Sequence, residues 1–242
     1  MKTALVISFN GTLYSGWQVQ ANGASVQKTL QNAIEKTLGR SVKVTGCSRT
    51  DAGVHANEYY CHLNICSPIP PDRFPLALNR LLPDDICVLK AFDAEDNFHA
   101  RYSAKGKEYM YLIWNSPYKN VFYKNTAYMY KKPLDVDEIN ACGAGFAGKR
   151  DFVSFMARGS GVKNTVRDVR YFKAERKGDF VKIYVAADGF LYNMVRIMVG
   201  TALEICSGKF CLSPEEIIGE KSRVFAGKTM PARGLYLNKV FY

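Results

Sequence analysis

The feature that most constrains this chain is an order of hydrophobic periods that runs through it twice. A short apolar run that ends before Asn10 and Gly11 marks a strand at residues 3–9. Ser25 then stands as a helix N-cap, with Val26, Leu30, Ala33, Ile34 and Leu38 on one face and Gly39 as the stop. Residues 42–47 and 59–65 read as strands, and residues 86–92 as another. Between them, after Pro68, Pro70 and Pro71, residues 73–82 read as a short helix. That order is β-α-β-β-α-β. From about residue 105 it starts again, with strands at 107–114 and 127–130, a helix at 135–144 and strands at 166–175 and 180–187. A helix at 191–206, a short helix at 213–218 and a last strand at 235–241 complete it. Element order alone, rather than any repeated sequence, predicts an α+β protein. Two tandem ferredoxin-like halves, 1–104 and 105–242, would form a mostly antiparallel mixed sheet backed by helices. A chain of 242 residues, 48% hydrophobic and free of low-complexity tracts, can fill such a core, so disorder is excluded.

Charge divides along the same line. Residues 1–97 carry nine Lys and Arg against nine Asp and Glu, and residues 98–242 carry 24 against 13, so the whole +11 net charge belongs to the second part. An excess of this sign points to a polyanion, either nucleic acid or an anionic membrane surface. Nothing reads as a signal peptide or bilayer span: the apolar start ends at Asn10 and Gly11, and residues 191–205 contain Asn193, Arg196 and Glu204. The seven cysteines, Cys47, Cys61, Cys66, Cys87, Cys142, Cys206 and Cys211, form no C-x-x-C pair. They read as free, buried thiols in a reducing cytosol, with no zinc ribbon, so a cytoplasmic location is expected.

Several chemistries drop out on context. Residues 143–148 (GAGFAG) satisfy G-x-G-x-x-G, but a helix pattern runs into them where a dinucleotide site needs a strand, so they read as a frayed helix end. Gly227, Lys228 and Thr229 resemble the end of a P-loop, but its upstream glycine would fall on Ser222. His55, His62 and His99 show no metal-ligand spacing, and neither a zinc deaminase signature nor a G-x-S-x-G elbow is present.

Three constellations survive. Residues 48–56 (SRTDAGVHA), between two predicted strands, place Arg49 and Asp51 two apart beside Ala52 and Gly53, small residues that let a ligand approach the backbone. An ordinary turn, with Asp51 bonded to the backbone and Arg49 in solvent, fits the same pattern. In the predicted helix 191–206, Met194, Val195, Ile197, Met198 and Val199 surround Arg196, so its guanidinium needs a partner. Asp51 is a candidate, and such a contact would keep that carboxylate ionised, as a nucleophile requires; snorkelling to solvent is the alternative. Third, residues 101–132 interleave Arg101, Lys105, Lys107, Lys119, Lys124, Lys131 and Lys132 with nine aromatic residues, among them Tyr109, Tyr111, Tyr118 and Phe122. Cations for phosphates and rings for bases are what unstacked nucleotides need, although Tyr109 and Tyr111 also suit a strand with one buried face.

With these residues in view, the chain resembles the tRNA pseudouridine synthase A family from Leu5 to Phe241. Residues 14–20 (YSGWQVQ), residues 49–56 (RTDAGVHA), residues 98–101 (FHAR) followed by Tyr109 and Tyr111, and residues 193–196 (NMVR) with Val199 and Gly200 carry the likeness. Residues 234–237 (GLYL) fit as well. The second segment is the most specific to that family. Ser48 stands where the family pattern usually has glycine. The resemblance implies a cofactor-free, metal-free isomerase that breaks the uridine N1–C1′ bond, turns the base and rejoins it through C5. It implies Asp51 as nucleophile, attacking the sugar or the base, and Tyr109 as a ring packed on the target base. Arg196 would be the basic partner of Asp51, Leu235 an apolar wall, and Arg49 a residue that opens the RNA stem or holds phosphate. It further implies a homodimer with tRNA across both subunits and modification of the anticodon stem-loop at tRNA positions 38, 39 and 40. Extruding a uridine costs a few kcal/mol, offset by backbone and stacking contacts. A noncatalytic RNA-binding protein of the same fold and a relative with other target positions are the competing readings.

Overall fold

The computed structural model describes residues 2–65 and 67–242, so Cys66 lies outside the described residues. The chain is α+β, with mostly antiparallel strand pairing, and divides into two compact units. Residues 1–105 and 236–242 form the first, and residues 106–235 the second.

In the first unit β1 (Lys2–Phe9) is central and almost wholly buried, pairing antiparallel with both β3 (His55–Leu63) and β4 (Ile86–Ala94). The short β2 (Val44–Gly46) pairs with residues 61–63 of β3, which gives the order β4-β1-β3-β2 of a split β-α-β unit. Helix α1 (Val26–Leu38) begins where expected, because Ser25 Oγ accepts from the Lys28 amide, and ends at Gly39 in the left-handed region (φ 67°). Helix α2 is shorter than its pattern suggests, Phe74–Asn79. Strand β3 starts four residues before the hydrophobic alternation does. Its first residues are enlisted by distant partners, Phe9 opposite Ala56 in β1, and Tyr236 opposite His55 in β10 (Leu235–Phe241), a parallel pairing. Element order assigns β10 to the second repeat; from Tyr236 onward it packs in the first unit.

The second unit is built on β5 (Gly106–Asn115), followed by β6 (Tyr128–Tyr130), α3 (Val136–Ala144), β7 (Gly148–Asp151), β8 (Val166–Lys177) and β9 (Phe180–Ala187). The sheet order is β5-β9-β8-β7, all antiparallel, with β6 added in parallel on β5. Strand β7 has no apolar alternation to announce it; its sequence, GKRD, is legible as a strand only through its pairing with β8. The glycine run before it is the helix end that the pattern suggests, with Gly145 as the C-cap of α3. Helix α3 stops at Ala144, Gly143 packs where any Cβ would meet the Phe172 ring at 2.5 Å, and Gly148 opens β7 at φ 105°.

Helix α4 (Met194–Cys206) starts three residues later than its apolar pattern, because Asn193 occupies the left-handed region (φ 60°), which asparagine tolerates and a helix does not. Leu191 is buried but outside the helix. Helix α5 (Pro214–Gly219) follows, fixed by a capping box between Ser213 and Glu216. The expectation of buried thiols needs correction: Cys47 and Cys61 are buried, but Cys142 and Cys206 are half-exposed and Cys87 and Cys211 exposed. Cys87 lies on the outward face of β4, an edge strand, and Cys211 in the loop before α5. Among the described residues no helix is long and apolar enough to cross a membrane.

Candidate active site

The Asp51 loop joins β2 to β3, and its path is set by backbone contacts. The Trp17 amide donates to the Thr50 carbonyl (3.3 Å), the Gly53 amide to the Tyr14 carbonyl (3.2 Å), and the Val54 amide to the carbonyl of Asp51 itself (3.2 Å). At its start the Tyr59 hydroxyl donates to the Ser48 carbonyl and receives the Ser48 amide (3.4 Å). The Tyr59 ring stacks on Trp17 with centroids 4.2 Å apart. Tyr14, which sets the turn's other end, is anchored by its own hydroxyl on Asp85 Oδ1 (2.6 Å). Residues 14–20 are therefore the scaffold of the loop rather than a separate site.

Gly16 is the tightest point. It sits at φ 99°, and a Cβ there would lie 2.3 Å from the Thr50 carbonyl oxygen. Only glycine permits that approach. Ser48, by contrast, is not among the residues at positive φ, so its backbone makes no demand for glycine. Asp51 emerges half-buried, Arg49 exposed, and Thr50 buried between them. Among the described residues, Thr50 Oγ1 is the buried side-chain polar atom without a hydrogen-bond partner, one residue before Asp51 in the chain.

The second unit holds Tyr109, Arg196 and Leu235. Tyr109 lies in β5 opposite Val185 of β9, is 7% exposed, and meets Phe190 edge-to-face, with centroids 5.1 Å apart and planes at 86°. Phe190 was not singled out in the sequence, because it stands before the helical pattern and outside any strand. Arg196 is half-buried in the first turn of α4. Its Nε donates to the Met230 carbonyl (2.6 Å) and an Nη to Asn193 Oδ1 (2.6 Å), so the cation is held on two oxygens instead of snorkelling. The partners could not be read locally: Met230 is 34 residues away, and Asn193 sits beside Arg196 only because of its left-handed backbone.

Residues 227–231 run along α4 as a laced segment. The Gly227 amide donates to Thr201 Oγ1 (2.9 Å), the Lys228 amide to Glu204 Oε2 (3.1 Å), and the Met230 amide to the Arg196 carbonyl (3.2 Å). Gly200 makes this possible, since a Cβ there would meet the Lys228 carbonyl oxygen at 1.9 Å. The P-loop-like residues are part of this clamp and not a phosphate loop. The Tyr111 hydroxyl extends the same network by donating to the Pro231 carbonyl (2.8 Å). Burial pushes that hydroxyl's pKa well above its usual value, against the opposing pull of Arg196 and Arg233, so Tyr111 is a neutral structural donor. Three residues on, Gly234 packs against the Tyr111 ring, and the buried Leu235 follows it.

The basic, aromatic stretch separates into two classes. Tyr109 and Tyr111 are core, whereas Tyr118 (80% exposed), Phe122 (88%) and Tyr123 stand out beside the exposed Lys119, Lys124, Lys131 and Lys132. Exposed rings among cations can stack on bases while lysines meet phosphates. Chemically, the first unit offers a carboxylate on a rigid turn, and the second a fixed guanidinium, an aromatic wall and a cationic surface. Among the described residues no group of three or more His, Cys, Asp or Glu side chains could hold a metal.

A family model described as tRNA pseudouridine synthase matches residues 5–103 and 144–242, one stretch on each side of the chain. A tRNA pseudouridine synthase A of Ruminiclostridium cellulolyticum is 45% identical over 100% of this chain and 99% of its own length. Relatives of the same name in Acetivibrio thermocellus (44%) and Thermoanaerobacter sp. strain X514 (43%) each cover 98% of both chains.

Proposed function

The chain belongs to the tRNA pseudouridine synthase family, and from that premise we propose that it isomerises uridine to pseudouridine in the anticodon stem-loop of tRNA, at positions 38, 39 and 40, with Asp51 as the nucleophile. One observation carries the assignment. Asp51 is a half-buried carboxylate on a turn locked from both sides by the backbone of Tyr14 and Trp17. A nucleophile held that rigidly meets a bound nucleoside without a reorganisation cost.

The reaction needs nothing the chain must import. The N1–C1′ bond breaks as the Asp51 carboxylate adds to the sugar carbon or to the base. The freed uracil turns, C5 bonds to C1′, the bond to Asp51 breaks and returns its carboxylate, the C5 proton leaves and a proton returns to N1, so atoms and charge balance without a cofactor or metal. Tyr109, braced by Phe190, supplies the ring against the extruded base, and Leu235 an apolar wall. Arg196, already fixed on two oxygens, supplies the standing positive charge that carboxylate chemistry draws on. Arg49, exposed at the head of the loop, engages the RNA stem or a phosphate, and the lysines with exposed rings take the remaining backbone and bases. The enzyme works as a cytoplasmic homodimer with tRNA across both subunits.

The proposal is tested by incubating unmodified tRNA transcripts with the protein and mapping pseudouridine. New pseudouridine at positions 38, 39 or 40 is expected. Modification elsewhere would make this a relative with other targets, and tight tRNA binding with no modification would make it a noncatalytic binder.

A further inference from the structure

Helix α4 begins at a residue that does not cap it in the usual way. Asn193 is the N-cap, yet it stands in the left-handed region (φ 60°, ψ 11°) and its side chain makes no capping bond to the helix amides. A cap asparagine ordinarily accepts from the backbone N–H two or three residues on. Here Asn193 Oδ1 accepts instead from an Nη of Arg196, at 2.6 Å. The surrounding chain holds the turn in that shape. The Met194 amide donates to the Leu191 carbonyl (3.1 Å), the Ile197 amide to the Asn193 carbonyl (3.0 Å) and the Ala157 amide to the Tyr192 carbonyl (3.0 Å). A left-handed non-glycine residue fixed by its neighbours in this way is characteristic of functional sites. We infer that Asn193 is a positioning residue for the isomerisation, aiming the Arg196 guanidinium in place of capping α4, a role that rests on the function proposed above.

Arg196 and Met230 are bonded twice, Arg196 Nε donating to the Met230 carbonyl (2.6 Å) and the Met230 amide to the Arg196 carbonyl (3.2 Å). Both acceptors are main-chain oxygens, common to every residue type. Asn193 supplies a side-chain oxygen, which belongs to this sequence alone. A guanidinium held at one nitrogen can still pivot, whereas a second oxygen on another nitrogen fixes its plane. Electrostatics adds a reason for the grip. A cation in the first turn of a helix opposes the helix dipole, and the first turn of α4 has no acidic residue to offset it. The oxygens of Asn193 and Met230 are neutral, so they hold the guanidinium without setting a negative charge of their own against it. Aspartate at this position would hold it equally well but offset the charge that carboxylate chemistry draws on.

The test combines reaction rates with a direct view of the guanidinium. Asn193→Gly keeps the left-handed backbone, which glycine adopts readily, and removes the oxygen, whereas Asn193→Asp keeps the oxygen. In single turnover at saturating tRNA, Asn193→Gly should form pseudouridine about tenfold more slowly, with tRNA affinity within about twofold of wild type and an unchanged melting temperature. In an Arg196→Met background the same glycine should change the rate by less than about twofold, because its effect passes through the guanidinium. In protein labelled with ¹⁵N-arginine, the Arg196 Nε–H signal is assigned by its absence from Arg196→Met. Its hydrogen exchange should quicken several-fold in Asn193→Gly and keep the wild-type rate in Asn193→Asp. An undiminished tenfold loss in the Arg196→Met background would overturn the role, as would wild-type turnover and wild-type exchange in Asn193→Gly. No pseudouridine from the wild-type protein would overturn the functional reading instead. The exchange measurement then decides by itself whether Asn193 fixes Arg196, as it does where Arg196→Met is too slow to read.

Discussion

In the first unit Asp51 owes its position to backbone: amides and carbonyls of residues 14–17 fasten the turn, and glycine at residue 16 permits the approach. In the second unit Tyr109 and Arg196 owe theirs to side chains, a ring braced by Phe190 and a guanidinium shared between Asn193 and Met230. The charge differs too. The first unit has twelve Lys and Arg against nine Asp and Glu, the second 21 against 13. The contrast teaches that the two units should fail differently. Added volume should damage the first, and altered chemistry the second.

The largest effect should come from Asp51→Ala, which deletes the proposed nucleophile; pseudouridine formation should fall on the order of 10⁴-fold or more, measured at saturating tRNA. Next is Gly16→Ala. One methyl group forces the Thr50 carbonyl away, and displacing the turn by about 1 Å should cost on the order of 10²-fold in kcat, together with lower thermal stability. Arg196→Lys keeps the charge but not the two-oxygen grip. A loss of about tenfold or more in kcat/KM is expected; wild-type kinetics would show that charge alone suffices in the second unit.

Smaller effects separate the surfaces. Replacing Lys119 and Lys124 with Gln should raise KM several-fold at constant kcat and lower the salt slope of tRNA binding by about 1 per residue. The same change at Lys28 and Lys36, exposed on α1, should do nothing. A milder contrast concerns acid. All three histidines lie in the first unit, and burial, with His99 and Lys2 nearby, pushes the His62 pKa down to about 4. The Ala100 amide donates to His62 Nδ1 (3.2 Å), which requires the neutral ring. Because the unfolded chain takes up a proton near pH 6.5 and the folded one resists it, this contribution is complete above pH 6.5. It is lost as pH falls towards 4, by up to about 3 kcal/mol. Denaturant titration across that window should show the loss, and His62→Gln should flatten it.

Much of this molecule was legible in its sequence because the signals are local. Ser25 and Gly39 mark α1, Asp135 caps α3, and Ser213 with Glu216 caps α5. Residues 49–56 and 193–196 similarly concentrate chemistry-bearing groups in short segments. What escaped depends on distance along the chain. Strand β3 is lengthened by partners at Phe9 and Tyr236, β7 exists only by pairing, and α4 is shortened by one left-handed asparagine. Phe190 and the Met230 carbonyl complete the surroundings of Tyr109 and Arg196 without any local pattern. Likewise Gly16 reads as an ordinary turn glycine until the Thr50 carbonyl is found against it.

The central claim is that the carboxylate of the first unit performs the isomerisation while the second unit supplies the basic surface that holds the RNA. Single-turnover tritium release from tRNA carrying [5-³H]uridine tests it most directly, with tRNA affinity measured on the same preparations. Stoichiometric release is expected from the wild-type protein and none from Asp51→Asn, whose dissociation constant should stay within about threefold of the wild-type value. Release by Asp51→Asn at the wild-type rate would contradict it.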